Sequence, residues 1–136
     1  MKLKVVLDTN LFVAAYFNKK SASAKIIEAC LKGKLKVFTS QGLFNELEFI
    51  LKNIRASSQF KEKVYRILEK AQVVFPSRIL VIKEDIEDNK FLAVAKKAKA
   101  DYLITNDRHL LKIKRFQQTR IITPFHFWQI YHTKLI

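Results

Sequence analysis

Four short, unbroken apolar runs, spaced by stretches of helical periodicity, constrain this chain more than any other feature. They are LKVVLD, LKVFTS, DYLIT and RIIT, each too short for a core helix. A strand that is apolar at every position needs cover on both faces, which is the condition of a parallel sheet with helices on either side. The intervening segments supply that cover. SASAKIIEACLKG has a serine cap at its start and Gly33 just past its end. QGLFNELEFILKN places Leu43, Leu47, Ile50 and Leu51 on one face, and SSQFKEKVYRILEKAQ turns Phe60, Val64, Ile67 and Leu68 inward while Lys61, Lys63, Arg66 and Lys70 point largely outward. Short extended pieces, VVF and LVI, flank Pro76. DNKFLAVAKKAKA reads as a further helix, and a closing helix starts at Pro124 with Thr123 as its cap. Strands alternating with helices predict an α/β fold built on a mostly parallel sheet.

At 136 residues, with no repeat and no Pro- or Gly-rich linker, the expectation is a single domain over residues 1–136. No apolar run approaches the ~20 residues of a membrane helix, and MKLKVVLDTN lacks the h-region of a signal peptide, so a cytoplasmic protein with no membrane association is expected. The single cysteine, Cys30, has no internal disulfide partner and reads as a small core residue on an amphipathic helix. His109, His126 and His132 lack the spacing of zinc ligands. The formal net charge of +14, from 26 Lys and Arg against 12 Asp and Glu, makes nucleic acid the leading partner class.

Against that basic background, four carboxylates stand among apolar neighbours or where strands end. Asp8 closes the first strand, Asp107 follows another by two residues, Glu46 sits one turn from Leu43 and from Ile50, and Asp88 opens the face carrying Phe91, Leu92 and Ala95. Each has a plainer reading. Asp8 caps a helix, Asp88 is a first-turn anion, Asp107 holds a turn and Glu46 pairs with a lysine. Together they suggest a cluster at the carboxyl ends of the strands, where ligands collect in such sheets. Clustered carboxylates repel one another and call for compensating cations. Mg²⁺ or Mn²⁺ suits an all-oxygen site, and such ions activate water and stabilise the leaving oxygen of a phosphodiester.

VVLDTNLFVAAYF, TSQGLFNELEFIL, EDNKFLAVAKKAKADYLITNDRHLL and RIITPFHF resemble, in that order, segments of the PIN domain, and especially of the VapC-type toxin ribonucleases of toxin–antitoxin systems. The resemblance implies a three-layer α/β/α sandwich and a divalent-metal-dependent ribonuclease. It makes Asp8, Glu46, Asp88 and Asp107 the catalytic, metal-site acids. Asn10 would orient Asp8, with Thr105 as a polar neighbour of Asp107 and Asp85 as a supporting acid. It also implies a homodimer and a cognate antitoxin protein that occupies the active-site groove.

Two departures concern local structure. Many relatives read DPDDNKFL where this chain has DIEDNKFL, so Ile86 replaces a turn-favouring proline. Where TGDRDLL is common, Asn106 replaces glycine and His109 replaces the second aspartate, so a left-handed turn is expected at Asn106. Arg55, Lys61, Lys63, Lys96, Lys97, Lys112, Lys114 and Arg115 are, as a set, the candidate contacts to RNA phosphates. PFHFWQIYH either packs a terminal helix on its own sheet or offers a dimer or antitoxin surface. The rival reading of the whole is a PIN-like RNA-binding or interaction module without turnover. A phosphotransferase with Asp8 as nucleophile would need a second aspartate where Asn10 stands.

Overall fold

In the computed structural model, which describes residues 2–77 and 86–134 (the side chains of 86–88 and 134 excepted), Val5 and Val6 are fully excluded from solvent. They lie in β1 (Lys4–Leu7), a strand buried on both faces as its sequence requires. α1 (Thr9–Phe17) and α2 (Ala22–Leu31) follow, then β2 (Lys36–Thr39), α3 (Gln41–Asn53), α4 (Ser58–Lys70) and the short β3 (Gln72–Val73). The second half contains α5 (Ile86–Ala98), β4 (Tyr102–Ile104), α6 (Arg108–Leu111), β5 (Arg115–Phe116), β6 (Thr119–Ile122) and α7 (Pro124–Lys134).

The strands form one sheet in the order β3-β2-β1-β4-β6-β5, parallel except for the β5–β6 hairpin. Val5 pairs with Val37 on one side and with Tyr102 on the other, so β1 is a central strand. The chain moves outward from β1 through β2 to β3 and then returns to place β4 on the opposite flank of β1. This reversal opens a crevice at the carboxyl ends of β1 and β4.

Side chains alternate between two cores. Val5, Leu7, Val37, Ile104 and Ile122 face α1, α2, α3, α4 and α7, whereas Val6, Phe38, Leu103 and Ile121 face α5 and Leu110 of α6. The result is an α/β/α sandwich. Serines set three of the helix starts. Ser21, Ser40 and Ser57 accept from Ala24, Leu43 and Phe60 N–H groups and so cap α2, α3 and α4. Thr123 accepts from the His126 N–H at the start of α7, whose Phe127 and Tyr131 pack on the sheet. Cys30 is buried in the first core, where burial pushes its thiol up to about 12. No helix among the described residues is long and apolar enough to cross a membrane.

Three elements depart from sequence expectation. NLFVAAYF is helical as most of α1, although its apolar residues show no single face, because the helix is enclosed against α2 and α3. α6 and β5 are four and two residues long, below the reach of any periodicity argument. The left-handed backbone is not at Asn106; among the described residues it falls at Gly33, Arg55, Lys99, Lys114 and Gln117. LVI and Asp85 lie outside the described residues.

Candidate functional site

Asp8 sits at the carboxyl end of β1, held by its own N–H to the Ile104 carbonyl at 3.1 Å. Its side chain is turned back over the start of α1, where Oδ1 accepts the Asn10 N–H at 3.1 Å. Oδ2 accepts the hydroxyl of Thr105 at 2.6 Å. Both residues are almost excluded from solvent, Asp8 at 5 % exposed and Thr105 at 1 %. A short O–H···O⁻ bond in such surroundings is among the stronger hydrogen bonds a protein makes.

The Thr105 oxygen then uses a lone pair to accept the Asp107 N–H at 3.0 Å. One hydroxyl thus ties Asp8, on the first strand, to Asp107, beyond the fourth. Asp107 in turn caps α6 through Oδ1, which accepts the His109 N–H at 2.8 Å, with His109 Nδ1 at 3.4 Å from the same oxygen. Its carboxylate is about a third exposed and faces solvent at the mouth of the crevice. Both aspartates therefore perform the capping role of the plainer reading. They are also brought to adjacent strand ends at the topological reversal, as the cluster reading requires.

The remaining acids lie on two other helices. α3, capped by Ser40 directly after the carboxyl end of β2, carries Glu46 half-buried between Leu43 and Leu47. The backbone of Asp88 lies in the first turn of α5, ahead of buried Asn89, Phe91 and Leu92; its side chain is outside the described residues. Among the described residues no three Asp, Glu, His or Cys side chains converge closely enough to hold an ion. The donor set nonetheless fits a hard divalent cation, since Asp8, Glu46, Asp88 and Asp107 offer only oxygen and no hydrogen bond among the described residues occupies Asp107 Oδ2.

Asn10 meets Asp8 through its main chain, by the backbone N–H, and its side chain is exposed. Thr105 does more than neighbour Asp107, since it bonds to both acids. The signal available in the sequence was a hydroxyl residue at a strand end two positions before a carboxylate. The basic candidates are distributed rather than gathered. Arg55 stands in the α3–α4 turn, Lys61 and Lys63 on α4, Lys96 and Lys97 in the last turn of α5, Lys112 and Lys114 between α6 and β5, and Arg115 at the start of β5. Lys63 is paired with Glu28 at 3.0 Å.

The sequence profile of the PIN domain matches residues 4–109, a span that includes all four acids as well as Thr105 and His109. The chain belongs to the PIN-domain family. Within it, the uncharacterized protein MJ1680 of Methanocaldococcus jannaschii is 28 % identical over 120 residues, covering 84 % of this chain and 77 % of its own. Two crystal structures share the PIN fold seen here. VapBC2 from Rickettsia felis, solved bound to a DNA fragment from its promoter, has a TM-score of 0.58 at 17 % identity and covers 89 % of this chain and 98 % of its own. PAE2754 from Pyrobaculum aerophilum has a TM-score of 0.55 at 15 % identity over 92 % of this chain and 86 % of its own. The β5–β6 hairpin and α7 of this PIN domain lie beyond the matched span.

Proposed function

We propose that this PIN domain is a divalent-metal-dependent endoribonuclease and the toxin of a toxin–antitoxin pair, acting in the cytoplasm as a homodimer of single-domain chains under control of a cognate antitoxin. The observation that carries the reading is the Thr105 hydroxyl, which joins Asp8 to Asp107 where the strand order reverses between β1 and β4. Membership of the PIN family, whose domains are generally nucleases, supports the reaction class. The fold shared with VapBC2 supports the toxin–antitoxin setting.

Asp8, Glu46, Asp88 and Asp107 would hold Mg²⁺ or Mn²⁺, which when bound makes a water nucleophilic and stabilises the leaving oxygen of the phosphodiester. The chain's own contribution is orientation. Thr105 and the Asn10 amide leave the Asp8 carboxylate little freedom to rotate, and α6 holds Asp107 by its cap. One carboxylate accepts the proton of the attacking water, and the net positive charge of the chain draws in the phosphate backbone. Water as nucleophile leaves a 5′-phosphate, whereas attack by the ribose hydroxyl leaves a cyclic phosphate.

The test is cleavage of end-labelled single-stranded RNA in Mg²⁺, Mn²⁺ or EDTA by the protein and by Asp8→Asn. Asparagine caps a helix as well as aspartate, so the variant keeps α1 while losing a charge at the site. Metal-dependent cleavage with a 5′-phosphate product, lost by at least a hundredfold in Asp8→Asn, is expected. Equal activity in both preparations overturns the reading. A second reading, an RNA-binding module without turnover, draws on the absence of three converging metal ligands among the described residues; it predicts RNA binding with no cleavage in any metal.

A further inference from the structure

Asp107 has a neighbour that the four-acid site leaves unused. α6 is fixed by the Asp107 cap and by Leu110, which is fully buried. Between them His109 brings its ring back beside the cap, with Nδ1 at 3.4 Å from Asp107 Oδ1 and more than half of the side chain exposed. That separation exceeds the roughly 2.7–3.2 Å of an ordinary N–H···O bond. Among the described residues the imidazole makes no hydrogen bond and no ring contact, so its approach to Asp107 is its one polar engagement. The other two histidines are engaged by aromatic neighbours, His126 by Phe125 and His132 by Trp128.

A neutral imidazole nitrogen and a carboxylate oxygen are both metal donors. Two donors at ~2.1 Å on neighbouring corners of an octahedral ion stand about 3.0 Å apart, a spacing that a small rotation of the exposed ring reaches. Asp107 Oδ1 keeps a lone pair after accepting the His109 N–H. An ion that retains most of its waters needs only one or two protein donors, so the pair does not depend on a third converging side chain. We propose that His109 is a nitrogen donor beside Asp107 and sets the ion preference of the site, toward Mn²⁺ and Co²⁺ and away from Mg²⁺. This rests on the metal-dependent reading above. Mg²⁺ is a hard cation that takes oxygen and gains little from imidazole, whereas the affinity of nitrogen donors rises from Mn²⁺ to Co²⁺. His109→Asp makes the local donor set all oxygen, which suits Mg²⁺.

The experiment measures the affinities of Mg²⁺, Mn²⁺ and Co²⁺ by calorimetry for the untagged protein, His109→Asp, His132→Asp and Asp107→Asn, with nitrogen spin-echo modulation on bound Mn²⁺ read alongside. The ratio of Co²⁺ to Mg²⁺ affinity is expected to fall by at least about tenfold in His109→Asp and to stay unchanged in His132→Asp. The imidazole nitrogen signal on Mn²⁺ is expected to vanish in His109→Asp and to persist in His132→Asp. Asp107→Asn, which keeps the cap of α6, is expected to weaken every ion. An unchanged ratio in His109→Asp, or no nitrogen signal in the unaltered protein, overturns the assignment of His109 while leaving the metal reading standing. Full binding by Asp107→Asn places the ion elsewhere and overturns it as well. Failure of the unaltered protein to bind any of the three ions removes the metal reading and the part of His109 with it.

Discussion

Replacing Thr105 by valine removes one hydroxyl from a fully buried position and leaves the volume nearly unchanged. The cost is therefore polar rather than a matter of packing. The 2.6 Å bond from Thr105 to the Asp8 carboxylate is charge-assisted, a class whose loss costs about 1.5–3 kcal/mol. The Asp107 N–H loses its acceptor as well, but it is partly exposed and water replaces the bond, so this adds less than ~1 kcal/mol. The sum is about 2–4 kcal/mol, against the ~5–15 kcal/mol typical of a domain. Thr105→Val should stay folded but denature at lower urea, with an unchanged m-value. Thr105→Ser keeps the hydroxyl and loses one buried methyl, for about 1 kcal/mol. A double-mutant cycle with Asp8→Ala isolates the pair, and a coupling energy above ~1.5 kcal/mol is expected. If Thr105→Val loses less than ~0.5 kcal/mol, or no more than Thr105→Ser, the bridge is not holding Asp8 and the account of the site fails.

Two further outcomes follow from single residues. Burial raises the Cys30 thiol from an ordinary 9.0 to about 12, so across that window the unfolded chain releases a proton that the folded one retains. The unfolded state then binds fewer protons, and stability falls as pH rises, by at most about 1.4 kcal/mol per pH unit; urea titrations of the protein and of Cys30→Ala should diverge in slope above pH 9.0 and agree below it. Gly33→Ala places a side chain at φ 75°, where the nearest atom is the flexible Lys2 ammonium, so the cost is backbone strain alone, about 1–2 kcal/mol. A thermal midpoint equal to that of the unaltered protein would contradict the left-handed turn.

Much of this was legible because apolar runs and caps are local signals. The strand at Val5 and Val6, the serine caps of α2, α3 and α4, and the proline start of α7 each depend on a few adjacent residues. Asp8 and Asp107 were legible because they end strands. What escaped was whatever depends on tertiary contact. The helix at Leu11 and Phe12 is enclosed on several sides and so displays no polar face to betray its period. The dual bond of Thr105 requires β1 and β4 to be neighbours, which no single segment announces. That Asn10 reaches Asp8 through its backbone was likewise not legible, because the N-cap geometry of Asp8 needs only a backbone N–H, which most residues supply. The left-handed turn expected at Asn106 was unnecessary, because Asp107 enters α6 from extended backbone.

The bond between Thr105 and Asp8 spans 97 positions of sequence. During synthesis, at ~5–20 residues per second, Asp8 waits about 5–20 s before its partner has even been joined to the chain. For all that time the nascent protein carries Asp8 without the hydroxyl that aims it, so a chain interrupted before Thr105 has a first strand end whose carboxylate lacks its long-range partner.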